Sequence, residues 1–490
     1  MKDALKKLQM ELHCYHHAAG ILYFDGDTVA PRASAQYRGE VMAFLSQKEY
    51  ELVTAPETSE LLENLWTKKD ELDEVTARIV ELMREEVKET TCIPMEEVMA
   101  YSRLGVESQS AWLKAKETND YAHFEPYLAQ VIDFKRRFAA YRSPDKPAYE
   151  AMLDSYEKGM NTQQLDAFFS ALRTDLVPLI EQAKSLPAQP AFVSTPCSIA
   201  SQRDFSDYLM KLLGLDEQRC AIAETEHPFT TSMNRYDVRI TTHYHEDAFL
   251  SSMYSVIHEG GHAHYELGVG DEYQFSPVGS AASMAMHESQ SRFYENIIGH
   301  HPAFLRFLAP KIREFFPALA HVSDEDFIFA ANYVQPSLIR TEADQVTYPL
   351  HIMVRYELEK QLIGGTLSTK DLPAAWNRLY KEYLGVDVPN DTQGVLQDVH
   401  WPGGMFGYFP TYALGSAYAS QILHAMERDL PVDELIAKGD LAPITVWLNE
   451  HIHHHGNLYT PGVLLQKATG EPFNPSYYVA HLSNVLKTLH

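Results

Sequence analysis

Cysteine is scarce in this sequence, and its few copies lie far apart. The 490 residues contain 4 cysteines, at Cys14, Cys92, Cys197 and Cys220. Cysteines with this spacing match neither the dense disulfide framework of a small secreted domain nor a Cys-x-x-Cys metal site. We therefore predict four reduced thiols.

Long apolar runs are also missing. No stretch approaches the roughly 20 apolar residues that are needed to span a bilayer. The first residues, MKDALKKLQMELHCYHH, carry charges where a signal peptide needs an uninterrupted apolar core. These two features predict a cytoplasmic protein.

Positive charge is in short supply as well. The chain has 41 Lys and Arg against 67 Asp and Glu, a formal net charge of −26. Nucleic acids and anionic membrane surfaces are bound through basic patches, so we expect neither as a partner. An apolar content of 45% with 22% charged residues is typical of a globular protein, and the length allows a large core.

The clearest chemical signal is HEGGH within Ser252–Leu267. Apolar residues precede it at helical spacing, and His258 and His262 lie one helical turn apart on the same face. Both imidazoles can therefore reach one ion, with Glu259 beside it as a general base that takes a proton from water. The two glycines inside this helix, Gly260 and Gly261, predict a close approach by another backbone or by a substrate, because each costs about 1 kcal/mol relative to alanine.

A catalytic zinc site needs a third protein ligand. Glu288, which lies 26 residues after His262 (288 − 262), is on a second predicted helix and can supply a carboxylate. His287 is an alternative that would make an all-histidine site. We predict one Zn²⁺ per chain at His258, His262 and Glu288, with Co²⁺ or Mn²⁺ as possible substitutes.

The rest of the chain predicts a mainly helical protein. The clearest amphipathic helix is Ser59–Thr90. The segment Ser185–Ile199 carries three prolines and is predicted to be a loop. It separates an N-terminal helical half, 1–199, from a zinc-binding half, 200–490, within a single catalytic unit.

One segment, Tyr236–Tyr244, alternates like a half-buried β-strand. Metallopeptidases hold an extended substrate against an edge strand by backbone pairing. This segment is therefore either such a substrate-binding edge or part of a structural hairpin.

Two further polar groups allow two interpretations each, and a histidine cluster allows one. Arg340 either pairs with an acid such as Asp344 at i+4 or binds a carboxylate with its planar fork. The glycine-rich aromatic loop that follows Trp401 either stabilises an oxyanion, through a histidine or a tyrosine hydroxyl, or is packed by its own aromatic rings. The histidines of His451–His455 are predicted to form a solvated helix end.

These elements together resemble the thermostable (Taq-type) carboxypeptidase family of zinc metallocarboxypeptidases. The resemblance rests on six motifs that follow one another in family order: HPF from His227, DVRIT from Asp237, HEGGH from His258, HESQSR from His287, IRTEAD from Ile339 and GVLQDVHW from Gly394.

The resemblance implies a mainly α, two-lobed fold with a deep cleft and a small β-sheet, similar to neurolysin and angiotensin-converting enzyme, and a homodimer. It implies that Arg340 binds the C-terminal carboxylate of a peptide, and that His227 and Arg239 also bind substrate. His400, Tyr408 and Tyr412 are the candidates for stabilising the oxyanion.

We therefore predict a metallocarboxypeptidase that removes single residues from peptides with a free C-terminus. The enzymatic alternative is a zinc oligopeptidase that cuts internally. A third reading is a helical scaffold that keeps zinc for stability alone.

Overall fold

The computed structural model describes residues 1–183 and 186–487, and within them it is mainly helical. Helices make up 69% of the structure and strands 3%. The predicted fold class, mainly α with a small β-sheet, is confirmed. None of the described helices combines the length and apolar character that crossing a membrane requires, and all four cysteines are free thiols, as predicted.

The described chain contains twenty α-helices. In chain order, α1 to α20 are Lys2–Thr28, Ala35–Val53, Pro56–Trp66, Glu74–Thr91, Met95–Thr118, Tyr121–Arg142, Ala148–Asp154, Thr162–Ala183, Ile199–Leu213, Phe249–Gly268, Met284–Arg292, Pro302–Phe315, Asp324–Ala331, Tyr348–Gly364, Leu372–Leu384, Pro410–Met426, Val432–Lys438, Ala442–His451, Pro461–Thr469 and Ser476–Lys487.

The chain divides into two compact units, and each is built from three separate segments. Unit 1 comprises Met1–Thr90, Gln189–Ala331 and Ala419–Phe473, whereas unit 2 comprises Thr91–Ala188, Asn332–Tyr418 and Asn474–His490. One boundary, at 188/189, lies close to the one predicted at 199/200, but the two units alternate along the chain. Of the predicted loop Ser185–Ile199, residue 185 lies outside the described residues, and 186–198 contains one short 3₁₀ turn, Ala191–Ser194.

The predicted helix Ser59–Thr90 is divided into two helices, α3 and α4. Asp73 explains the division, because its carboxylate accepts hydrogen bonds from both the backbone N–H and the hydroxyl of Thr76 at 2.9 Å. An aspartate in this position is an N-cap, which starts a new helix. The apolar stripe continues across the break, with Leu62, Leu65 and Ile79 buried.

Unit 1 contains a three-stranded sheet made of β1 (Cys220–Glu224), β2 (Thr230–Asn234) and β3 (Asp237–Thr242). The strand order is β1-β3-β2, with β1 parallel and β2 antiparallel to β3. The predicted strand at Tyr236–Tyr244 is therefore present as β3, and its alternation is explained by the complete burial of Val238 and Ile240.

Of the two alternatives for this segment, the structural hairpin is confirmed, because β3 pairs antiparallel with β2, and the substrate-binding edge is excluded. β3 is the central strand, and its backbone groups pair with β1 on one side and β2 on the other. Alternation reveals which face of a strand is buried, but it carries no information about which neighbours pair with it.

Helix α10 packs against the sheet and against α9 and α11 within unit 1. Its first three turns present Phe249, Met253, Val256 and Ile257 to the core, each 1% exposed or less. This apolar stripe fixes the rotation of the helix about its axis, and therefore the direction in which its later polar side chains point.

Candidate active site

The two histidines of HEGGH converge with Glu288 in unit 1. Glu288 Oε2 lies 3.8 Å from His258 Nε2 and 3.5 Å from His262 Nε2. One ligand atom from each residue lies within 4.8 Å of the other two, and this is the only such group of possible metal ligands within 1–183 and 186–487. The predicted ligand set is thus brought together by two different helices.

Glu288 is positioned by the short helix α11. Ser283 caps this helix, because its side chain accepts a hydrogen bond from Met286 N at 3.0 Å. Arg292, one turn later, donates to Glu288 Oε1 at 2.7 Å. One carboxylate oxygen is therefore held by the arginine, and the other faces the two imidazoles.

The electrostatic surroundings keep Glu288 ionised. Burial alone raises the pKa of a carboxyl group, but the Arg292 guanidinium, followed by His262 and His258, holds the pKa of Glu288 well below its usual range. An ionised carboxylate is the form that binds a metal ion.

The glycine pair explains how α11 comes this close. A Cβ added to Gly261 would lie 2.4 Å from the backbone oxygen of Gln290 and 2.7 Å from Ser291 Cα. At Gly260 it would lie 2.7 Å from a methyl group of Leu213. The prediction that another backbone approaches here is confirmed for Gly261, and the approaching backbone is that of the helix that carries Glu288.

The donor set fits a divalent cation. His258 Nδ1 lies 2.6 Å from Glu295 Oε2, which leaves Nε2 of the same ring to face Glu288. A metal-binding histidine ordinarily donates its other ring N–H to a carboxylate in this way. Two imidazole nitrogens and one carboxylate oxygen form the three-ligand set of catalytic zinc sites.

Glu295 is a functional candidate that the sequence motifs do not reveal. It belongs to a π-helical segment, Phe293–Gly299, that continues α11, and Arg292 Nη1 also donates to it at 3.0 Å. Its position seven residues after Glu288 (295 − 288) would place it on the same side of a continuous helix. That spacing is a weak signal, because any amphipathic helix contains such pairs.

We predict that Glu295→Gln weakens metal binding by about 10- to 100-fold, the usual effect of removing a hydrogen-bond partner of a ligating histidine. The amide leaves His258 without an anionic acceptor, so its imidazole is less basic and less well oriented. Competition with a metal-binding dye measures the affinity. Glu272→Gln, a half-exposed glutamate of the same unit, serves as the control and should bind metal like the parent. An unchanged affinity in Glu295→Gln would contradict this role.

Glu259 lies beside the ligands on α10 and is buried, with 6% of its surface exposed. Thr230, at the start of β2, donates to Glu259 Oε2 at 2.6 Å. Burial raises the pKa of Glu259. A buried carboxylate that a neighbouring hydroxyl orients, and whose pKa is raised, is a suitable proton acceptor.

His287, the alternative ligand, makes different contacts. Its Nε2 lies 3.0 Å from Glu266 Oε1, and its ring stacks on that of His262 with centroids 4.3 Å apart. It is not part of the convergent group of ligand atoms. The geometry therefore favours Glu288 over His287.

Unit 2 contains the other main group of predicted site residues. Arg340 is 6% exposed, and its Nε donates to Asp398 Oδ1 at 2.9 Å. The guanidinium also donates through Nη1 to the Tyr348 hydroxyl at 2.9 Å, while no partner of Nη2 is found among the described residues. The ion pair predicted for Arg340 exists, but its partner is Asp398. Asp344 instead caps the turn before α14, where it accepts from Val346 N and Thr347 N.

Asp398 joins two buried arginines. Its other oxygen accepts from Arg355 Nε at 2.6 Å. Burial raises the pKa of a carboxyl group, but here Arg355 and Arg340 hold the pKa of Asp398 well below its usual range. Two guanidinium groups on one carboxylate leave a net positive charge beside Nη2 of Arg340.

His400, Tyr408 and Tyr412 form one cluster in unit 2, and Tyr412 contacts Arg340. His400 Nε2 lies 3.3 Å from the Tyr412 hydroxyl, and the rings of Tyr408 and Tyr412 meet edge to face at 5.3 Å. The guanidinium carbon of Arg340 lies 5.2 Å from the centre of the Tyr412 ring. Burial, followed by repulsion from Arg340, lowers the pKa of His400 to about 4, so the ring is neutral near pH 7.

The loop that carries Tyr408 is held by a buried glutamate that sequence reasoning missed. Glu359 accepts hydrogen bonds from Trp401 Nε1 at 2.8 Å, from Gly407 N at 2.9 Å and from Tyr149 at 2.8 Å. Gly407 has φ +86°, and a Cβ there would lie 2.9 Å from Leu153 N. The loop is therefore packed against α7 as well as bonded to Glu359.

We predict that Glu359 makes the stability of the protein depend on pH. Burial raises its pKa to about 7 despite the three donors, so the folded state binds a proton that the unfolded chain releases near pH 4.5. The free energy of unfolding should therefore fall as pH rises from about 4.5 to 7, by about 3 kcal/mol at most. Urea unfolding of Glu359→Gln at several pH values should lack this part of the slope. Glu357→Gln, two residues away, should keep it, and equal slopes in both variants would contradict the assignment.

The predicted substrate residues Arg239 and His227 lie in unit 1. Arg239 donates through Nε and Nη2 to Asp237, each at 2.8 Å, and lies over the Phe24 ring at 5.0 Å. His227 is exposed in the loop that leads to β2. Asp237 already accepts hydrogen bonds from two donors of the Arg239 fork. The contribution of Arg239 to substrate binding therefore stays a prediction.

The prediction of a solvated histidine end is wrong for His453. This residue is completely buried, and its Nε2 lies 2.7 Å from Gln290 Oε1 on α11. Its ring stacks on Tyr265 of α10 with centroids 5.3 Å apart. His453 therefore packs against both helices that carry the candidate ligands.

The protein is mainly helical, and the two histidines of HEXXH converge with a glutamate of the next helix beside a second, buried glutamate. These are the fold and the site of a helical metallopeptidase. The carboxypeptidase Taq (M32) metallopeptidase family matches residues 4–486. The chain belongs to this family, and it is a metal-dependent carboxypeptidase that hydrolyses peptides. The predicted alternatives, an oligopeptidase and a non-catalytic scaffold, are not supported.

Individual relatives agree with this assignment over the whole chain. Carboxypeptidase 1 of Bacillus subtilis is 39% identical over 492 residues, which cover 100% of this chain and 97% of that protein. Thermostable carboxypeptidase 1 of Thermus thermophilus is 36% identical over 501 residues, which cover 99% and 98%. The crystal structure of the M32 carboxypeptidase from Deinococcus radiodurans R1 superposes on this chain with a TM-score of 0.96. The two sequences are 33% identical, and 99% of each chain is covered.

Proposed function

We propose that the ion is Zn²⁺, one per chain, and that His258, His262 and Glu288 hold it. The observation that carries this proposal is the convergence of their ligand atoms within 4.8 Å, directly beside Glu259. Co²⁺ and Mn²⁺ are expected to substitute, because a set of two histidines and one carboxylate accepts several divalent ions. When bound, the ion supplies Lewis acidity, which polarises a peptide carbonyl and lowers the pKa of water.

Glu259 acts as the general base and then as the general acid. Its carboxylate takes a proton from the attacking water and returns it to the leaving amine, so that the group ends the cycle ionised. The Thr230 hydroxyl holds Oε2, and this contact orients the carboxylate throughout. No partner of Oε1 is found within the described part of the chain, which leaves that oxygen for the proton.

Arg340 binds the C-terminal carboxylate of the peptide, and this contact makes the enzyme release single residues. Asp398 and Tyr348 fix the guanidinium through Nε and Nη1, and Nη2, which has no partner among the described residues, is left to donate. His400, Tyr408 and Tyr412 are the donors proposed for the oxyanion. A neutral His400 can donate one ring N–H without adding a charge next to Arg340.

The amino side of the peptide is proposed to lie along β2. This strand is at the edge of the sheet, and it begins at Thr230, which contacts Glu259. Its last residues line a cavity of about 430 Å³ with α1 and α4. A carboxypeptidase substrate has one residue after the scissile bond. A cavity that lies two to four residues along the strand from Thr230 is therefore proposed to hold residues that precede that bond.

The proposed oligomeric state follows the family resemblance, and the proposed compartment follows the sequence features. We propose a homodimer in the cytoplasm, where the four free thiols would remain reduced. Gel filtration with light scattering tests the dimer, and a monomer at micromolar concentration would contradict it.

The metal and the direction of cleavage can be tested together. The purified enzyme is analysed for metal, stripped with a chelator, and reloaded with Zn²⁺, Co²⁺ or Mn²⁺. One peptide is then offered with a free and with an amidated C-terminus. We expect stepwise shortening of the free form only, lost on chelation and restored by zinc. Undiminished activity after complete metal removal, or equal cleavage of the amidated form, would contradict the proposal.

A further inference from the structure

A cavity in unit 2 is lined by two cationic side chains. It has a volume of about 230 Å³, and its lining includes Lys135, Arg142, Tyr156 and Phe406. Lys135 and Arg142 are seven residues apart on α6 (142 − 135), two turns along one face of the helix. Both therefore reach into the same space.

Within the described residues, neither cation has a protein partner. No hydrogen bond or ion pair of the Lys135 ammonium or the Arg142 guanidinium is found within 1–183 and 186–487, and Arg142 Nε is buried without an acceptor. Burial, followed by repulsion from Arg142, lowers the pKa of Lys135 to about 8. Buried donors without a partner destabilise a fold. Their lack of an acidic partner is unexpected here, because the protein has a net charge of −26 and therefore an excess of carboxylates.

The carboxylates of this region are already bonded to other groups. Glu359 accepts from Trp401, Gly407 and Tyr149. Asp154 lies 3.2 Å from Lys146 and 3.4 Å from Lys158. Neither carboxylate is among the groups that shift the pKa of Lys135.

The remaining lining supplies one more donor and an apolar wall. No hydrogen bond of the Tyr156 hydroxyl is found in the described structure, and burial raises its pKa to about 12, so it is a neutral donor. Ser155 already donates to Ala151 O at 3.1 Å. Phe138, Met152 and Phe406 are apolar. The cavity thus offers an ammonium, a guanidinium and a phenol, a set that attracts anions and repels cations.

We propose that this cavity is a binding site for a small oxyanion, of the phosphate or carboxylate class, held by Lys135, Arg142 and Tyr156. The planar guanidinium fork matches two oxygens of such an ion, and the ammonium supplies a point charge. The volume is several times the roughly 30 Å³ of a water molecule, which suits a polyatomic ion. This inference does not depend on the roles proposed for the metal ligands.

The site is connected to the loop of unit 2 that carries Tyr408. The Tyr156 ring meets the Tyr408 ring edge to face, with centroids 5.2 Å apart. Phe406 lines the cavity and lies two residues before Tyr408. An anion that holds Tyr156 in place should therefore change kcat as well as stability, a consequence that rests on the role proposed for Tyr408.

Thermal unfolding of the metal-loaded enzyme in low-salt buffer tests the site. Inorganic phosphate and acetate are titrated separately. We expect a saturable rise in Tm for the parent, and binding at least about tenfold weaker in Lys135→Met and Arg142→Met, because each loses a charged donor. A response to phosphate alone identifies a tetrahedral ligand, whereas a response to both anions extends the class to carboxylates. Lys114→Met, an exposed lysine of the same unit, should respond like the parent.

Two results would overturn the proposal. A phosphate response that is unchanged in both variants would mean that the anion binds elsewhere, for example at the catalytic ion. A Lys135→Met variant that unfolds at a lower temperature than the parent without added anion would mean that Lys135 has a structural partner. We expect the opposite, because the substitution removes an unpaired cation. If an added anion raised the Tm of the parent but left its kcat unchanged, the anion site would stand, and only its proposed effect on Tyr408 would be contradicted.

Discussion

Replacing Glu259 with glutamine is expected to lower kcat by about 10²- to 10⁴-fold, the usual contribution of a general base. The amide is nearly the same size and can still accept the hydrogen bond from Thr230, but it cannot take a proton at neutral pH. The metal content should stay at one ion per chain, because His258, His262 and Glu288 are unchanged. Single-turnover kinetics with metal analysis of the same sample measure both quantities.

The control for Glu259→Gln must separate lost chemistry from lost structure. Thr230→Val keeps the carboxylate and removes only its hydroxyl donor, so we expect a much smaller fall in kcat. Thermal unfolding should show that both variants remain folded. Parent-like turnover in a metal-loaded Glu259→Gln enzyme would rule out the general-base role.

Replacing Arg340 with glutamine should have the second-largest effect. Removing one partner of a buried charged contact costs about 2–4 kcal/mol, so kcat/KM for a free C-terminus should fall by about 30- to 1,000-fold. Arg340→Lys should be intermediate, because lysine keeps the charge but not the planar fork. Its ammonium cannot contact Asp398, Tyr348 and a substrate carboxylate with the same geometry.

The pattern across substrates distinguishes binding from stability. If Arg340 binds the substrate carboxylate, Arg340→Gln loses most of the preference for free over amidated peptides. A general loss of structure would reduce activity on both forms by the same factor. Arg378→Gln, an exposed arginine of unit 2, is the matched control and should keep the full preference. An Arg340→Gln enzyme with unchanged preference would show that the carboxylate is bound elsewhere.

Local patterns were sufficient where the chemistry lies within one or two helices. The i, i+4 spacing of His258 and His262 determines that both rings are on one face of α10, whatever the rest of the chain does. The two glycines indicated a close backbone approach, and Gln290–Ser291 provides it. Glu288 was predictable as a candidate because it is an ionisable residue on the next helix, which the connection 269–283 can bring back to α10.

Partners that are distant in sequence could not be predicted. Arg340 pairs with Asp398, 58 residues away, whereas the local expectation was Asp344. His453 is 163 residues from Gln290 and yet contacts it at 2.7 Å. A string of histidines is polar on any hydropathy scale, so its burial depends on a partner that its own neighbourhood does not contain.

The sequence by itself determined the mainly helical fold class, the candidate metal-binding pair with the glutamate proposed as general base, and the family motifs, because helical periodicity and short spacings are properties of consecutive residues. Only the tertiary structure decided that β3 is a central strand, that Glu295 lies against His258 Nδ1, and that Lys135 and Arg142 share a cavity whose lining contains no acid among the described residues. These features depend on which surfaces meet after folding. Burial and packing select those surfaces across the whole unit, and no window of neighbouring residues contains that information.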